Sequence, residues 1–181
     1  MKKIMEIRKW LTSLSYIKFI GLQTTIGLLI FAFTFATITI FKVSTPLSRF
    51  EGTSYTFIEY LCFLIFSAFI ETLLFQYLPF IIFSHRVKNS SSRKILKPTR
   101  YILFSSVVFG LFHIIGTRWL MPFVVIRVLE TALCGVMLSV SFYILHRKER
   151  LPILSVTLIH YLANTITVCT GTLLDSLTAS L

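Results

Sequence analysis

Residues 55–83 read YTFIEYLCFLIFSAFIETLLFQYLPFIIF, a run with no lysine or arginine and only two carboxylates, Glu59 and Glu71. A helix needs about 20 predominantly apolar residues to cross the hydrocarbon core of a bilayer, and this run is longer. Working outward, similar runs occupy Phe19 to Phe41, Trp119 to Leu145 and Pro152 to Leu174, with a shorter one from Tyr101 to Ile115. The polar flank Lys97 to Arg100 lengthens the short run by snorkelling. The pattern predicts an all-α integral membrane protein, a polytopic bundle of about five transmembrane helices with its polar site at mid-membrane depth.

Composition agrees with the runs. Of 181 residues, 55% are apolar and 14% charged, and the mean hydropathy is +0.82. The net charge of +11 would suggest a nucleic-acid partner in a polar chain. Here the cations sit between apolar runs and alternate from one side to the other, as topology signals do. Lys2, Lys3, Arg8, Lys9 and Lys18, the loop bearing Arg86, Lys88, Arg93, Lys94, Lys97 and Arg100, and the turn bearing Arg147, Lys148 and Arg150 fall on one side; Lys42, Arg49 and Arg118 fall on the other. The expectation is an N-terminus in the cytoplasm, a C-terminus outside and no nucleic-acid partner.

The organisation read from these runs is a single membrane domain over 1–181: a basic N-terminus at 1–18, a retained signal-anchor helix at 19–41, a helical core at 55–174 and a tail at 175–181 carrying Asp175. The first run is longer than the 7 to 15 residues of a cleaved signal's apolar region. The loop from Ser84 to Arg100, with Asn89, Ser90, Ser91 and Ser92, reads as solvated chain near anionic headgroups. No internal repeat supports an inverted-repeat transporter. Cys62, Cys134 and Cys169 show no CxxC spacing and read as small buried apolar residues. The 18 phenylalanines read as lipid-facing filler.

An ionisable residue at membrane depth is a functional hypothesis by default. At about 1.5 Å rise per residue, Glu71, His113 and Asn164 each lie about 18 Å from the cytoplasmic end of their runs, and His160 about 12 Å. Four polar groups on three helices thus share one layer. His160 and Asn164 are four apart and share a face, as do Phe109 and His113, with Gly110 open to close approach by another backbone. Pro79 frees the carbonyl of Phe75, so a kink able to admit water is expected below Glu71. Arg127 and Glu130 lie nearer the outer face and read as a mutual structural pair. Glu59 reads as interfacial, His85 and His146 as cytoplasmic ends, and Ser67 as bonded to its own helix backbone.

Glu71-Thr72-Leu73-Leu74-Phe75-Gln76, Phe109-Gly110-Leu111-Phe112-His113 and His160-Tyr161-Leu162-Ala163-Asn164 together resemble the three motifs of the CPBP intramembrane proteases, usually written EExxxR, FxxxH and HxxxN. That family groups the CAAX prenyl proteases with bacteriocin-processing and self-immunity proteins, and the resemblance covers about Ile58 to Leu174. Thr72 stands where the family usually has its second glutamate and Gln76 where it usually has arginine; Gln76 is expected to act as a neutral hydrogen-bonding strut. The resemblance implies an intramembrane endopeptidase in which Glu71 and His113 activate a water molecule while His160 and Asn164 face the oxyanion. Both a metal-free and a Zn²⁺ form of this chemistry stay open, with Glu71, His113 and His160 as the candidate ligands. It implies a peptide or membrane-protein substrate in the bilayer, and suits a bacterial plasma membrane. A non-catalytic immunity or scaffold protein, binding a peptide, a transporter or a kinase, is the alternative reading of Thr72 and Gln76. A rhomboid-like serine site is disfavoured, because the lone Gly52-Thr53-Ser54 lies away from the histidine layer. No HExxH helix is present. The sequence sets no oligomeric state.

Overall fold

The computed structural model describes residue 6 and residues 10–41, 57–88, 98–115 and 122–179, the side chains of 57, 85–88 and 171–179 excepted. Several residues read above lie outside these: Lys2, Lys3, Arg8, Lys9, Lys42, Arg49, Gly52 to Ser54, the 89–97 loop, Arg118 and Trp119, and the side chains of His85 and Asp175. Among the described residues a helical stretch at residues 10–13 is followed, in order, by α1 (Tyr16–Ile40), α2 (Phe57–Thr72), α3 (Leu78–Lys88), α4 (Pro98–Phe112), α5 (Phe123–Arg147) and α6 (Pro152–Ala179). A five-residue π-helical segment, Leu73–Tyr77, joins α2 to α3. No strand occurs among the described residues. Among the described residues four stretches are long and apolar enough to cross a membrane: Tyr16–Ile40, Ile58–Ser84, Phe123–Arg147 and Pro152–Thr170. The protein is a multi-pass membrane protein.

The fifth run is a shorter apolar helix. α4 has 15 residues, about 22 Å of rise, and ends at Phe112, so His113 stands in the turn beyond it rather than inside a span. There its Nδ1 meets the Phe109 carbonyl at 2.8 Å. A carbonyl in the last turn of a helix has no intrahelical partner, and the imidazole satisfies this one.

Side chains sort by partner. Ile17, Phe33, Phe66 and Ile40 point outward, as surfaces facing lipid tails do. Phe19, Phe75, Phe80, Phe109 and Phe142 are buried together with Tyr101, Leu138, Leu145 and Ile159, so the phenylalanines are only partly filler. Cys62 and Cys169 are exposed and Cys134 is half-buried, which corrects their reading as buried residues; with lipid as the solvent outside, an apolar thiol gains little by turning inward.

α5 is the hub, packed on α4, α1, α6 and the π segment, while α6 also covers α2 and α1. Two glycines let α4 and α5 approach. A Cβ at Gly135 would stand 2.9 Å from the Ser106 Cα, and one at Gly110 would stand 3.0 Å from the Ala132 Cβ. The turn into α6 carries positive φ at Glu149 and Leu151, and the Tyr16 and Ser155 hydroxyls, 2.6 Å apart, tie the start of α1 to that of α6.

Pro79 is accompanied by an irregularity one turn earlier in the helix. Helical hydrogen bonding continues past it, with the disturbance taken up as the π segment at Leu73–Tyr77. A π-bulge is a known way to absorb an irregular position in an otherwise α-helical run. The Phe75 carbonyl that proline leaves free accepts a hydrogen bond from the Ser105 hydroxyl of α4, and the Ser139 hydroxyl of α5 donates to Ser105 at 2.7 Å. A protein hydroxyl thus satisfies the freed carbonyl. Ser105→Ala leaves that buried carbonyl unpaired and is expected to cost about 1–3 kcal/mol. Adding Pro79→Ala, which restores an N–H, should recover part of the loss in a thermal denaturation series.

Candidate active site

Glu71 stands at the end of α2 just before the helix widens, and its carboxylate reaches two imidazoles. Glu71 Oε2 is 3.5 Å from His113 Nε2 and 3.5 Å from His160 Nε2. The two distances are equal, so they do not separate the roles of the histidines. Surroundings do. The Phe109 carbonyl can only accept, so His113 Nδ1 carries the proton, and in the neutral ring Nε2 presents its lone pair toward Glu71. Two acceptors then face each other, an arrangement that a shared proton or a donating water O–H would satisfy. His160 is buried, on α6, one turn before Asn164.

Phe109 holds both rings in place. Its centroid is 4.4 Å from that of His113 and 5.8 Å from that of His160, and it also meets Phe75 edge-on at 5.5 Å. The phenylalanine of the Phe109-to-His113 motif is therefore a wedge between two site residues, a contact sequence spacing did not show.

A cavity of about 310 Å³ opens beside these groups, lined by His113, His160 and Asn164 together with Arg127, Glu130, Thr131 and Cys134. The structure brings His113, His160 and Asn164 to one wall, with Glu71 meeting the imidazoles from α2. Arg127 Nη1 donates to Glu130 Oε2 at 2.7 Å, with Glu130 nearly buried. The pairing agrees with the sequence reading, and the cavity adds what depth counting missed: the pair forms part of the same chamber wall. Sequence depth separates groups that line one cavity.

Two neighbours of Glu71 depart from expectation. Gln76 is fully buried, and its amide has no hydrogen-bond partner among the described residues, so it is not the strut foreseen for it. The extra π-helical residue re-aims the positions after Thr72, and spacing alone gives no sign of it. Thr72, also fully buried, donates to its own Ala68 carbonyl at 2.8 Å. Ser67, by contrast, leaves its expected backbone role and donates to Glu71 Oε1 at 2.6 Å.

Glu71, His113 and His160 have the donor types of a zinc site. Glu71 Oε2 lies 3.5 Å from the Nε2 atom of each histidine, although among the described residues no group of three or more His, Cys, Asp or Glu side chains already has the geometry of a metal site.

A family model for type II CAAX prenyl endopeptidases, Rce1-like, matches residues 53–166, well over half of the chain. The chain belongs to the Rce1-like family. No curated protein and no solved structure matches it. The region matched to the Rce1-like model contains Glu71, His113, His160 and Asn164; the last three line the cavity and Glu71 approaches the two imidazoles.

Proposed function

We propose that this Rce1-like chain is an intramembrane endopeptidase that hydrolyses a peptide bond with a water activated by Glu71 and His113, in peptide maturation or bacteriocin self-immunity. The observation that carries the reading is the meeting of Glu71 Oε2 with His113 Nε2 and His160 Nε2, at 3.5 Å each. Water between Glu71 and His113 gives up a proton to this pair, and its oxygen bonds to the carbonyl carbon. The tetrahedral intermediate places its oxyanion toward His160 and Asn164. The proton then passes to the amide nitrogen, the C–N bond breaks, and a carboxylate and an amine leave. General acid–base groups of this kind contribute about 10²–10⁴-fold, and an oxyanion donor about 10²–10³-fold.

The site works in a multi-pass protein of a plasma membrane, with the basic segments at the cytoplasmic face, on substrates presented within the bilayer. The positive-inside pattern and the compact core support this placement. The metal-free and Zn²⁺ forms of this chemistry are separated by a chelator: cleavage unchanged by a zinc chelator supports the metal-free form, and loss restored by added Zn²⁺ supports a metal held by Glu71, His113 and His160.

Asn164→Ala tests the oxyanion role. The expected result is a fall in kcat of about 10²-fold with KM little changed, because the side chain's hydrogen bond is made in the transition state. A rise in KM alone would assign Asn164 to substrate binding.

A second reading is favoured by Thr72 and by the unpartnered Gln76 amide: a non-catalytic immunity or scaffold protein that uses the same fold to bind a peptide, a transporter or a kinase. Biological protection that persists when Glu71, His113, His160 and Asn164 are all replaced supports that reading over catalysis.

A further inference from the structure

We propose that Ser67 is a positioning residue for the reaction, dividing the two oxygens of Glu71 between a structural and a chemical task. This inference rests on the hydrolytic reading above. Its starting point is the 2.6 Å hydrogen bond from Ser67 Oγ to Glu71 Oε1. A hydroxyl has one proton to give, and Ser67 spends it on a carboxylate oxygen one helical turn ahead.

The consequence lies on the other oxygen. Oε2 is buried, is the atom that approaches both imidazoles at 3.5 Å, and has no hydrogen-bond partner among the described residues. With Oε1 tied back to α2, rotation about the terminal torsion of Glu71 is restrained, and Oε2 alone is turned to the histidines. A glutamate side chain otherwise carries substantial rotamer freedom, and its terminal torsion is broad. Chemical groups displaced by about 1 Å lose catalytic power steeply, and partners that orient a functional side chain are as much a part of a site as the group itself.

The position also explains why a serine is placed there. Ser67 is four residues before Glu71, and in α2 that spacing puts both on one face. Ala68 beside it is fully buried, whereas Phe66 is exposed, and Ser67 and Glu71 are half-buried on the flank between them. A hydroxyl on this face would otherwise be an unneeded polar group in an apolar helix.

The test is steady-state cleavage of a farnesylated CAAX-terminated peptide in proteoliposomes by wild type, Ser67→Ala, Ser67→Thr and Glu71→Ala, each first shown to be monodisperse with a wild-type melting midpoint. Ser67→Ala is expected to lower kcat about tenfold with KM unchanged, and Ser67→Thr, which restores a hydroxyl, to return kcat to within about threefold of wild type. Three results would overturn the proposal: wild-type kcat in Ser67→Ala, a loss in Ser67→Thr as large as that in Ser67→Ala, or an effect confined to KM. Cleavage by Glu71→Ala at the wild-type rate overturns the hydrolytic reading itself. A dead Glu71→Ala beside a fully active Ser67→Ala removes only the role of Ser67.

Discussion

Glu71→Ala is expected to reduce peptide cleavage by about 10³-fold at matched membrane abundance, within the range of general acid–base catalysis. The carboxylate approaches both imidazoles, so its removal takes away the proton acceptor and the charge against which His113 is poised. His113→Ala should cost a similar factor. The double variant Glu71→Ala/His113→Ala should be no slower than the worse single one, because groups that act as a unit are strongly non-additive. Multiplying effects would mean that the two residues act in separate steps. The fold should survive, since removing a carboxylate from an apolar surrounding relieves an insertion cost of about 2.5–3.5 kcal/mol.

The second large effect is on the fold. Gly135→Val is expected to eliminate folded protein, and Gly135→Ala to destabilise it by about 1–3 kcal/mol, the range for overpacking a close-packed site. The reason is the partner. The added Cβ meets Ser106 Cα at 2.9 Å, backbone that cannot swing aside, and the Phe109 ring at 3.3 Å. Relief by spreading α4 from α5 would also move Phe109, the wedge against both histidines, so any surviving Gly135→Ala protein should lose activity beyond its loss of stability. Gly21 is the control, with nothing within 4 Å of its added Cβ. Gly21→Ala should be neutral or slightly stabilising, since alanine is the better helix former. Melting midpoints in detergent check all three variants, and equal midpoints for Gly21→Ala and Gly135→Ala would contradict this account of α4–α5 packing.

Much of this was legible in the sequence. Run length and charge alternation expose the spans because a bilayer demands about 20 apolar residues and sorts cations by side. The proximity of Glu71 to His113 and His160 is legible because rise per residue turns sequence distance into height along neighbouring helices. Depth is one coordinate, however. It separates Arg127 and Glu130 from the histidines, although helix packing around α5 places all of them on one cavity. The end of α4 at Phe112 is hidden, because Phe112 to Ile115 is as apolar as a span apart from His113 itself.

Ser67 was read wrongly for a physical reason. A serine inside a helix has a backbone carbonyl within reach in almost any context, and only the rotamers in the folded protein show that the carboxylate one turn on takes the proton instead. Pro79 likewise announces a freed carbonyl. It does not announce that the irregularity would be absorbed as a π segment, or that Ser105, thirty residues on, would satisfy it. Partners distant in sequence are set by tertiary packing.

The most direct measurement is cleavage of a farnesylated CAAX-terminated peptide by the purified full chain in proteoliposomes made in ¹⁸O-labelled water, with products read by mass spectrometry. Wild type is predicted to release a fragment carrying one ¹⁸O in its new carboxylate, and Glu71→Ala to release none above the uncatalysed background. No product from the wild type, or equal labelled product from Glu71→Ala, would contradict the claim that this constellation is a hydrolytic site.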